Sequence, residues 1–520
     1  MKAYLMFRDK NLDVNMKLPW NAEHLLKDLE LDTILDRMSL GDKFIREVSS
    51  KVLLSGSKDR DTILFRQDVL KDAIKNAGIV RKIYGILVNA ILEAKKKYFW
   101  ISHSSPEFIL RESIAILTIY LDALQKLRDM AIQNSGDFQS EGFVSLLSLM
   151  QGEFNEQYVE TVRKHLASLR FTNGVIVRGE LGKGNRLTNY MLLKPTGRKR
   201  RLPSVLNPRN GHHYTYILPE RDETGAQSLT EMRIRGISSV SSILGDSAEN
   251  VLNFLNGLKA ELAFYIGCIN LHDQISQIGS PICFPQPRVT GDSNLKFQEL
   301  YDMSLSLRLK EKVVGNNIDL NEADLIIITG ANRGGKSTFL RSLGQAQLLM
   351  QCGAFVPAES FQYGICNDLF THFKKEEDPS MNMGKLDEEL SRMNDIVGHL
   401  TPGCMVLFNE SFASTNAREG SEVARQVIDA LLEKGIRIAF VTHLYELAQI
   451  YLEREKHHTA FLRAERREDG SRTFRIVSGE PLKTSYGKDL YFSIFNTQNG
   501  AGSMEEEAQS PASVIPFMQD

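Results

Sequence analysis

One stretch limits this chain more than any other: LIIITGANRGGKSTFLRSL, Leu325 to Leu343. A run of apolar and β-branched residues leads into Gly330-x-x-x-x-Gly335-Lys336-Ser337, and a helical apolar period follows. Strand, glycine turn and helix in that order predict a phosphate cradle. Glycines let the backbone N–H groups of Gly330, Ala331, Asn332, Arg333, Gly334 and Gly335 fold into a nest around an anion. The helix N-terminus adds positive potential. Lys336 would then reach the β- and γ-phosphates of ATP, Ser337 would ligate Mg²⁺, and Thr338 would assist at the α/β side.

Two later runs fit the same fold. CMVLFN and IRIAFVT, like DLIIIT before the cradle, are uniformly apolar, as parallel strands buried on both faces must be. The first delivers Asn409 and Glu410, where nucleotide hydrolases usually present Asp then Glu. Glu410 stands where a general base or water-positioning carboxylate is needed. His443 follows the other strand, at the place of a γ-phosphate-sensing group. Asn409 keeps an acceptor oxygen but has no charge, so a Mg²⁺ ion held there through water loses an electrostatic partner. The expectation is a working but slow ATPase.

A chain of 520 residues is too long for one core. Residues 1–160 read as helices; in PEFILRESIAILTIYLDALQKLRDM the residues Leu110, Ile114, Leu117, Leu121 and Leu124 form one stripe, with Pro106 in the first turn. Residues 161–227 turn β-rich, with GVIVRGELGKGN, TNYMLLKP and HHYTYILPERD as short strands or hairpins. From Ser228 to Ile278 there is no proline. A continuous helix of about 45 residues there would span roughly 65–70 Å, with Gly236, Gly245 and Gly257 as candidate bends. This lever segment, 228–290, ends in the Pro-rich GSPICFPQPRVTGD. Residues 291–496 have the α/β pattern, and 497–520 have the composition of a disordered tail. The whole is multidomain: an all-α lever with a small β-rich tip, followed by an α/β nucleotide-binding domain.

Net charge is −2, so any nucleic-acid site must be a local patch. Between Arg163 and Arg209 the only acid is Glu180. Lys183, Arg186, Arg198, Lys199, Arg200 and Arg201 are the candidate phosphate contacts. No aromatic pattern accompanies them, which predicts backbone binding without base reading. Five cysteines stand singly with no C-x-x-C, as reduced core thiols of a cytoplasmic protein do. No apolar run reaches the roughly 18 residues of a membrane span. The pairs His212-His213 and His457-His458 do not suit one metal, since strand neighbours face opposite ways.

The motifs carry a resemblance. TGANRGGKSTFLRSLGQAQLLMQCGAFVPA resembles the ATPase segment of the MutS mismatch-repair family. NESFASTNAREG keeps that family's spacing to a closing Glu419-Gly420, VTHLYEL is similar to its His-containing strand, and SYGKDL (485–490) to its closing Ser-Tyr-Gly. The resemblance implies an ABC-type ATPase domain, a clamp-like role for the basic β-rich insert, a homodimer with composite nucleotide sites, and DNA held by its backbone. It also implies that Val313, Val314 and Asn316, in VVGNN, flank the adenine.

Departures matter too. Lever-like helices start almost at once, so the expectation is a member without the family's mismatch-reading and connector domains. Phe154-Asn155-Glu156 imitates the reader's wedge but lies in a helical pattern. Where the family has a trans-acting Ser-Thr-Phe, this chain reads MNMGKLDEEL, with Gly384 or Asp387 opposite the serine. The expected function is a MutS-like ATPase that clamps duplex or structured DNA in repair or recombination. The alternative is an ATP-switched module for a protein or ribonucleoprotein partner. A transporter-type ATPase fits less well, because no L-S-G-G-Q-like signature or membrane-coupling segment is present.

Overall fold

The structure, a computed structural model, describes residues 4–98, 105–172, 174–183, 187–193, 217–374, 384–454, 458–467 and 471–481. In chain order it begins with helices α1 (Ala22–Asp28), α2 (Leu31–Ser39), α3 (Lys43–Leu54), α4 (Arg60–Lys75), α5 (Ala77–Tyr98), α6 (Pro106–Asn134), α7 (Glu141–Glu153) and α8 (Glu156–Ser168). Strands β1 (Ile176–Leu181) and β2 (Leu187–Leu193) precede α9 (Glu223–Ile278). Then come β3 (Gln286–Arg288), β4 (Leu295–Leu300), α10 (Met303–Leu309), β5 (Asn316–Leu320), β6 (Leu325–Thr329), α11 (Lys336–Cys352), β7 (Ser360–Gly364) and β8 (Leu369–Phe373). The remainder is α12 (Lys385–His399), β9 (Met405–Asn409), α13 (Ala417–Glu433), β10 (Arg437–Val441), α14 (Tyr445–Glu453), β11 (Thr459–Arg466) and β12 (Arg472–Ser478). These elements divide between two compact units, one made of Met1–Thr290, Asp302–Val313 and Gly344–Ile365, the other of Gly291–Tyr301, Val314–Leu343 and Cys366–Asp520.

The first unit is mainly helical. Asp42, Asp59 and Asn155 cap α3, α4 and α8 by accepting N–H groups of the first turn. Pro106 opens α6, and Leu110, Ile114, Leu121 and Leu124 are buried along it. Helix α9 has 56 residues, about 84 Å at the usual rise. It begins before Ser228 because the Asp222 carboxylate accepts the Gly225 N–H at 2.8 Å. It ends at Gly279, whose left-handed φ of 72° turns its N–H back to the Ile275 carbonyl.

The three glycines expected to bend α9 leave it continuous. Gly236 serves close approach: a Cβ there would lie 2.6 Å from the Val177 side chain of β1. The antiparallel β1–β2 pair, with Val177 opposite Leu192, packs through its inner face near Leu110, Ile114, Leu166 and Ile237. The β-rich region therefore starts later than residue 161. Residues 161–168 continue α8, which buries Val159 and Leu166. Phe154 is core, 1% exposed. The sequence run His212–Ile217 lies outside the described residues except for Ile217, as do SYGKDL and residues 497–520.

One buried polar cluster organises the helical unit. Glu261, 0% exposed on α9, accepts the backbone N–H of Leu5 at 2.6 Å and of Leu12 at 2.9 Å. The Tyr265 hydroxyl donates to the Leu5 carbonyl at 2.6 Å, and Arg66 Nε donates to the Met6 carbonyl at 3.0 Å. The segment around residues 5–12 has no helix or strand to satisfy its backbone, so these side chains do it. Burial pushes the Glu261 carboxyl up, and the N–H groups it accepts oppose that shift.

The second unit centres on a sheet of order β12-β11-β6-β10-β9-β8. All its pairs are parallel except β11–β12. Strands β6, β8 and β10 are buried at every residue, as is β9 up to Phe408. Their core joins Leu325, Ile327, Val406, Phe408, Ile438 and Phe440 to Ile428 and Leu431 of α13 and Leu447 of α14. The parallel strands predicted from DLIIIT, CMVLFN and IRIAFVT are β6, β9 and β10. Among the described residues no helix is long and apolar enough to cross a membrane. None of the five cysteines is in a disulfide, and four of them are buried.

Replacing Glu261 by Ala leaves two buried N–H groups without an acceptor, at an expected cost of about 3 kcal/mol. Glu261→Gln, which keeps one acceptor, should cost about half of that. Urea unfolding of the two variants checks the order; equal stability of Glu261→Ala and the parent chain would remove the cluster from this role.

Candidate functional site

The turn between β6 and α11 carries the densest set of sequence-predicted residues. Gly330 and Gly335 have φ of 118° and 91°, which a side chain tolerates poorly, and Arg333 enters the left-handed region at 57°. Space is as restrictive as conformation. A Cβ at Gly330 would lie 2.9 Å from the Ala464 nitrogen, one at Gly334 2.8 Å from the Ala464 Cβ, and one at Gly335 3.0 Å from the Phe474 carbonyl. The backbones of β11 and β12 thus press on the turn, and only glycine lets them.

Lys336, buried at the start of α11, donates through Nζ to the carbonyls of Gly330 and Ala331, both at 3.0 Å. Two of its three hydrogens are committed and one is left for an anion. Burial lowers its pKa to about 8, with Glu410 pulling the other way. A phosphate group in the turn would supply the missing countercharge. Asn332 and Arg333 are exposed, and Thr338 is half-buried.

Parallel pairing brings three further strand ends beside this turn. The Ser337 hydroxyl donates to Asn409 Oδ1 at 2.9 Å. Asn409 thus supplies the neutral acceptor that its carboxamide predicts. The next residue, Glu410, has a left-handed φ of 55° and donates its N–H to the Val441 carbonyl at 2.9 Å. Its Oε1 lies 2.7 Å from His443 Nε2. A carboxylate only accepts, so Nε2 carries the hydrogen. The His443 hydrogen bond is the main cause that holds the Glu410 carboxyl below its ordinary range; burial opposes it, and Lys336 and Lys374 add to it. Lys374 follows β8, and its N–H donates to the Asn409 carbonyl at 3.0 Å.

Ser337 Oγ, Asn409 Oδ1 and the Glu410 carboxylate are all hard oxygen donors. Such a set fits Mg²⁺, which binds through one or two protein oxygens with phosphates and waters completing its shell. It does not make a metal cage without a nucleotide, and among the described residues no three His, Cys, Asp or Glu form one.

The loop after Glu410 is packed as tightly as the cradle. Ser411 and Phe412 are fully buried, and Phe412 also has positive φ, at 62°. Left-handed residues with a Cβ cost about 1–2 kcal/mol each, so the surroundings must hold them. One support comes from α13, where a Cβ at Gly420 would lie 2.4 Å from the Phe412 carbonyl. That contact gives the Glu419-Gly420 motif a steric reason.

Val314 is 40% exposed. Asn316 is buried, its Oδ1 accepting the Ile476 N–H at 2.7 Å and its Nδ2 donating to the Leu300 carbonyl at 3.4 Å. Its carboxamide joins strands there. Gly384 occupies the N-cap of α12, and Asp387 its first turn. Of the basic patch, Arg163 is held by Asp122 and Gln125 and Lys164 by Glu160, while Arg178 and Lys183 are exposed. Arg186, Arg198, Lys199, Arg200 and Arg201 lie outside the described residues. His458 faces Glu322 at 3.7 Å. Lys374, Ala464 and Phe474 were not legible as site residues, because their approach depends on sheet order.

Two family profiles match the chain. One, described as the MutS2 N-terminal domain, covers residues 58–278, and the other, MutS domain V, covers 326–494. The first of these extends the likeness in sequence to residues upstream of the glycine turn. A DNA mismatch repair protein MutS of Chloroflexus aurantiacus is 28% identical over 232 residues, 44% of this chain and 24% of the relative. An Endonuclease MutS2 of Lacticaseibacillus paracasei is 27% identical over 234 residues, 45% of this chain and 29% of the relative. An Endonuclease MutS2 of Carboxydothermus hydrogenoformans is 23% identical over 290 residues, 55% of this chain and 37% of the relative. Each match thus spans well under half of the curated relative's own length.

Lys336 sets a pH window. Its cation is present below pH 8 and is lost as pH rises through its lowered pKa of about 8. If it holds phosphate, nucleotide affinity measured without Mg²⁺ should fall about tenfold between pH 7 and 9. Calorimetry in buffers of different ionisation enthalpy should show proton uptake rising toward one per site. A flat affinity profile would mean that Lys336 does not hold the phosphates.

Proposed function

The chain belongs to the MutS family, and we propose that it is an ATP-hydrolysing, DNA-binding member that grips duplex or structured DNA in repair or recombination without reading mismatches. The observation that carries this is the convergence of Lys336, the Ser337–Asn409 pair and the Glu410–His443 pair at the carboxyl ends of neighbouring parallel strands. Ligands of α/β sheets bind at that edge.

In this proposal Lys336 and the backbone of residues 330–335 hold the β- and γ-phosphates. Ser337, with Asn409 beside it, would hold Mg²⁺, which when bound would offset phosphate charge. Glu410, kept ionised by His443, orients the attacking water, and His443 senses the γ-phosphate side. Hydrolysis depends mostly on positioning and electrostatics, so the site works with Asn at 409, but slowly. A homodimer with composite sites follows from the family. Exposed Arg178 and Lys183, with the sequence run Arg198 to Arg201, supply contacts to a DNA backbone.

One observation favours a second reading, in which ATP switches a protein or ribonucleoprotein contact. Ile176 and Leu193 are opposite each other on β1–β2, with Arg178 opposite Met191, and the three apolar side chains are exposed. Phosphates make no use of such a surface, whereas a protein partner does.

Lys336→Ala should abolish nucleotide binding, and Glu410→Gln should bind ATP normally while turnover falls about a hundredfold. Asn409→Asp should lower the Mg²⁺ concentration needed for half-maximal turnover by about tenfold. Equal hydrolysis by Glu410→Gln and the parent chain would remove Glu410 from the reaction. For the partner, turnover is measured with duplex, branched and single-stranded DNA and with RNA. Neutralising Arg198, Lys199, Arg200 and Arg201 together should flatten the salt dependence of DNA binding; an unaltered slope would put DNA elsewhere, and stimulation by RNA alone would favour the second reading.

A further inference from the structure

The buried carboxylate of Glu389, on α12, lies outside every role assigned so far. It is 7% exposed. Its Oε2 accepts the backbone N–H of Phe412, and its Oε1 accepts the Ser414 hydroxyl at 2.7 Å. The carbonyl of the same residue lies 3.0 Å from Nε2 of His372, a fully buried residue of β8. A carbonyl only accepts, so that nitrogen carries the hydrogen. The Ser411 hydroxyl is shared between His372 Nδ1 at 2.7 Å and the His372 carbonyl at 2.6 Å. The imidazole stacks on the Phe412 ring, with centroids 5.3 Å apart. Three residues further along α12, Arg392 donates to the Phe373 carbonyl at 2.6 Å and ties the helix to the end of β8.

These contacts converge on residues 411–414, directly after Glu410. Glu410 and Phe412, which flank Ser411, are both left-handed and both have a Cβ, so this backbone keeps its course only under constraint. A carboxylate suits the task because it is acceptor-only and presents two oxygens. One takes the backbone N–H of Phe412 and the other the hydroxyl of Ser414, two residues further along the same loop. The nucleotide-facing groups Lys336 and Ser337 take no part in this set of bonds.

We propose that Glu389 is the positioning residue of the hydrolytic site, holding the 411–414 loop so that the Glu410 carboxylate points at the water it orients. This rests on Glu410 having the role proposed above. Glu389 acts through the loop and touches neither nucleotide nor water. It also makes α12 the element through which an event at that helix reaches the chemistry.

The test compares single-turnover ATP hydrolysis with the affinity for a fluorescent ATP analogue, using the full chain. Glu389→Ala should slow turnover at least about tenfold while affinity stays within about twofold, because a misplaced carboxylate costs rate and not phosphate binding. Glu389→Gln keeps an acceptor for the Phe412 N–H and can donate to the Ser414 oxygen, so it should retain at least about one third of the rate. Ser414→Ala leaves Glu389 intact and should cost about threefold in rate; it carries the same test if Glu389→Ala does not fold. In a Glu410→Gln background, Glu389→Ala should add no further loss.

Parent-like turnover by Glu389→Ala, or by Ser414→Ala where the former does not fold, would overturn the proposal. So would a parallel loss of affinity and rate that Glu389→Gln fails to rescue, since that is the mark of packing alone. A further tenfold loss in the Glu410→Gln background would mean that Glu389 acts through another group. Glu410→Gln hydrolysing as fast as the parent chain would overturn the assignment of Glu410 itself, whereas a slow Glu410→Gln beside a fast Glu389→Ala overturns only the inference about Glu389.

Discussion

The candidate site exists because parallel strands pair in register. Val441 of β10 stands beside Ile328 of β6 on one side and Asn409 of β9 on the other. Neighbouring strands lie about 4.8 Å apart, so residues just past one strand end fall within side-chain reach of those past the next. The cradle, Thr442-His443 and Asn409-Glu410 come from positions 330, 442 and 409, far apart in sequence. A slip of one residue would turn Asn409 toward the other face of the sheet and break its bond to Ser337. Complete burial of β6, β8 and β10 is the energetic reason that no such slip occurs.

Much of this was visible in the sequence because it is local. Apolar strands, a glycine turn and the lysine after it are all read within a dozen residues. The helical stripe on α6 and the length of α9 follow from periodicity, which is local too. The features that escaped depend on approach between distant segments. The start of α9 lies ahead of Ser228 because Asp222 caps it, and Asp222 acts as a cap only once Gly225 is helical. Gly236 looked like a weak point and is a contact with β1. Asn316, which the resemblance puts beside the adenine, bonds through its carboxamide to the backbone of β4 and β12. Glu389 carries no signal in a helical pattern beyond being a charge on the buried side. Gly420 belongs to a motif, but its steric reason, the Phe412 carbonyl, exists only in three dimensions.

The charges around the cradle form a coherent set. Asn409 removes a negative charge where one is usual, while Lys374 adds a positive one at the neighbouring strand end. Among the described residues, Lys336 and Lys374 are two cations acting on the one Glu410 carboxylate. Such a field favours phosphate groups over a free metal ion, in keeping with a metal shell that only a nucleotide completes.

Helix α9 has a mechanical consequence. It is gripped at Gly236 by the β1 strand and at Glu261 and Tyr265 by the segment near the chain start. These grips are about 25 residues apart, which is about 40 Å along an unbroken axis. Where the helix moves as one piece between them, a tilt of about 5° at one grip sweeps the other through about 3.5 Å. The rod therefore works as a pointer: it multiplies a small angular change into a displacement comparable to the width of a hydrogen bond or more.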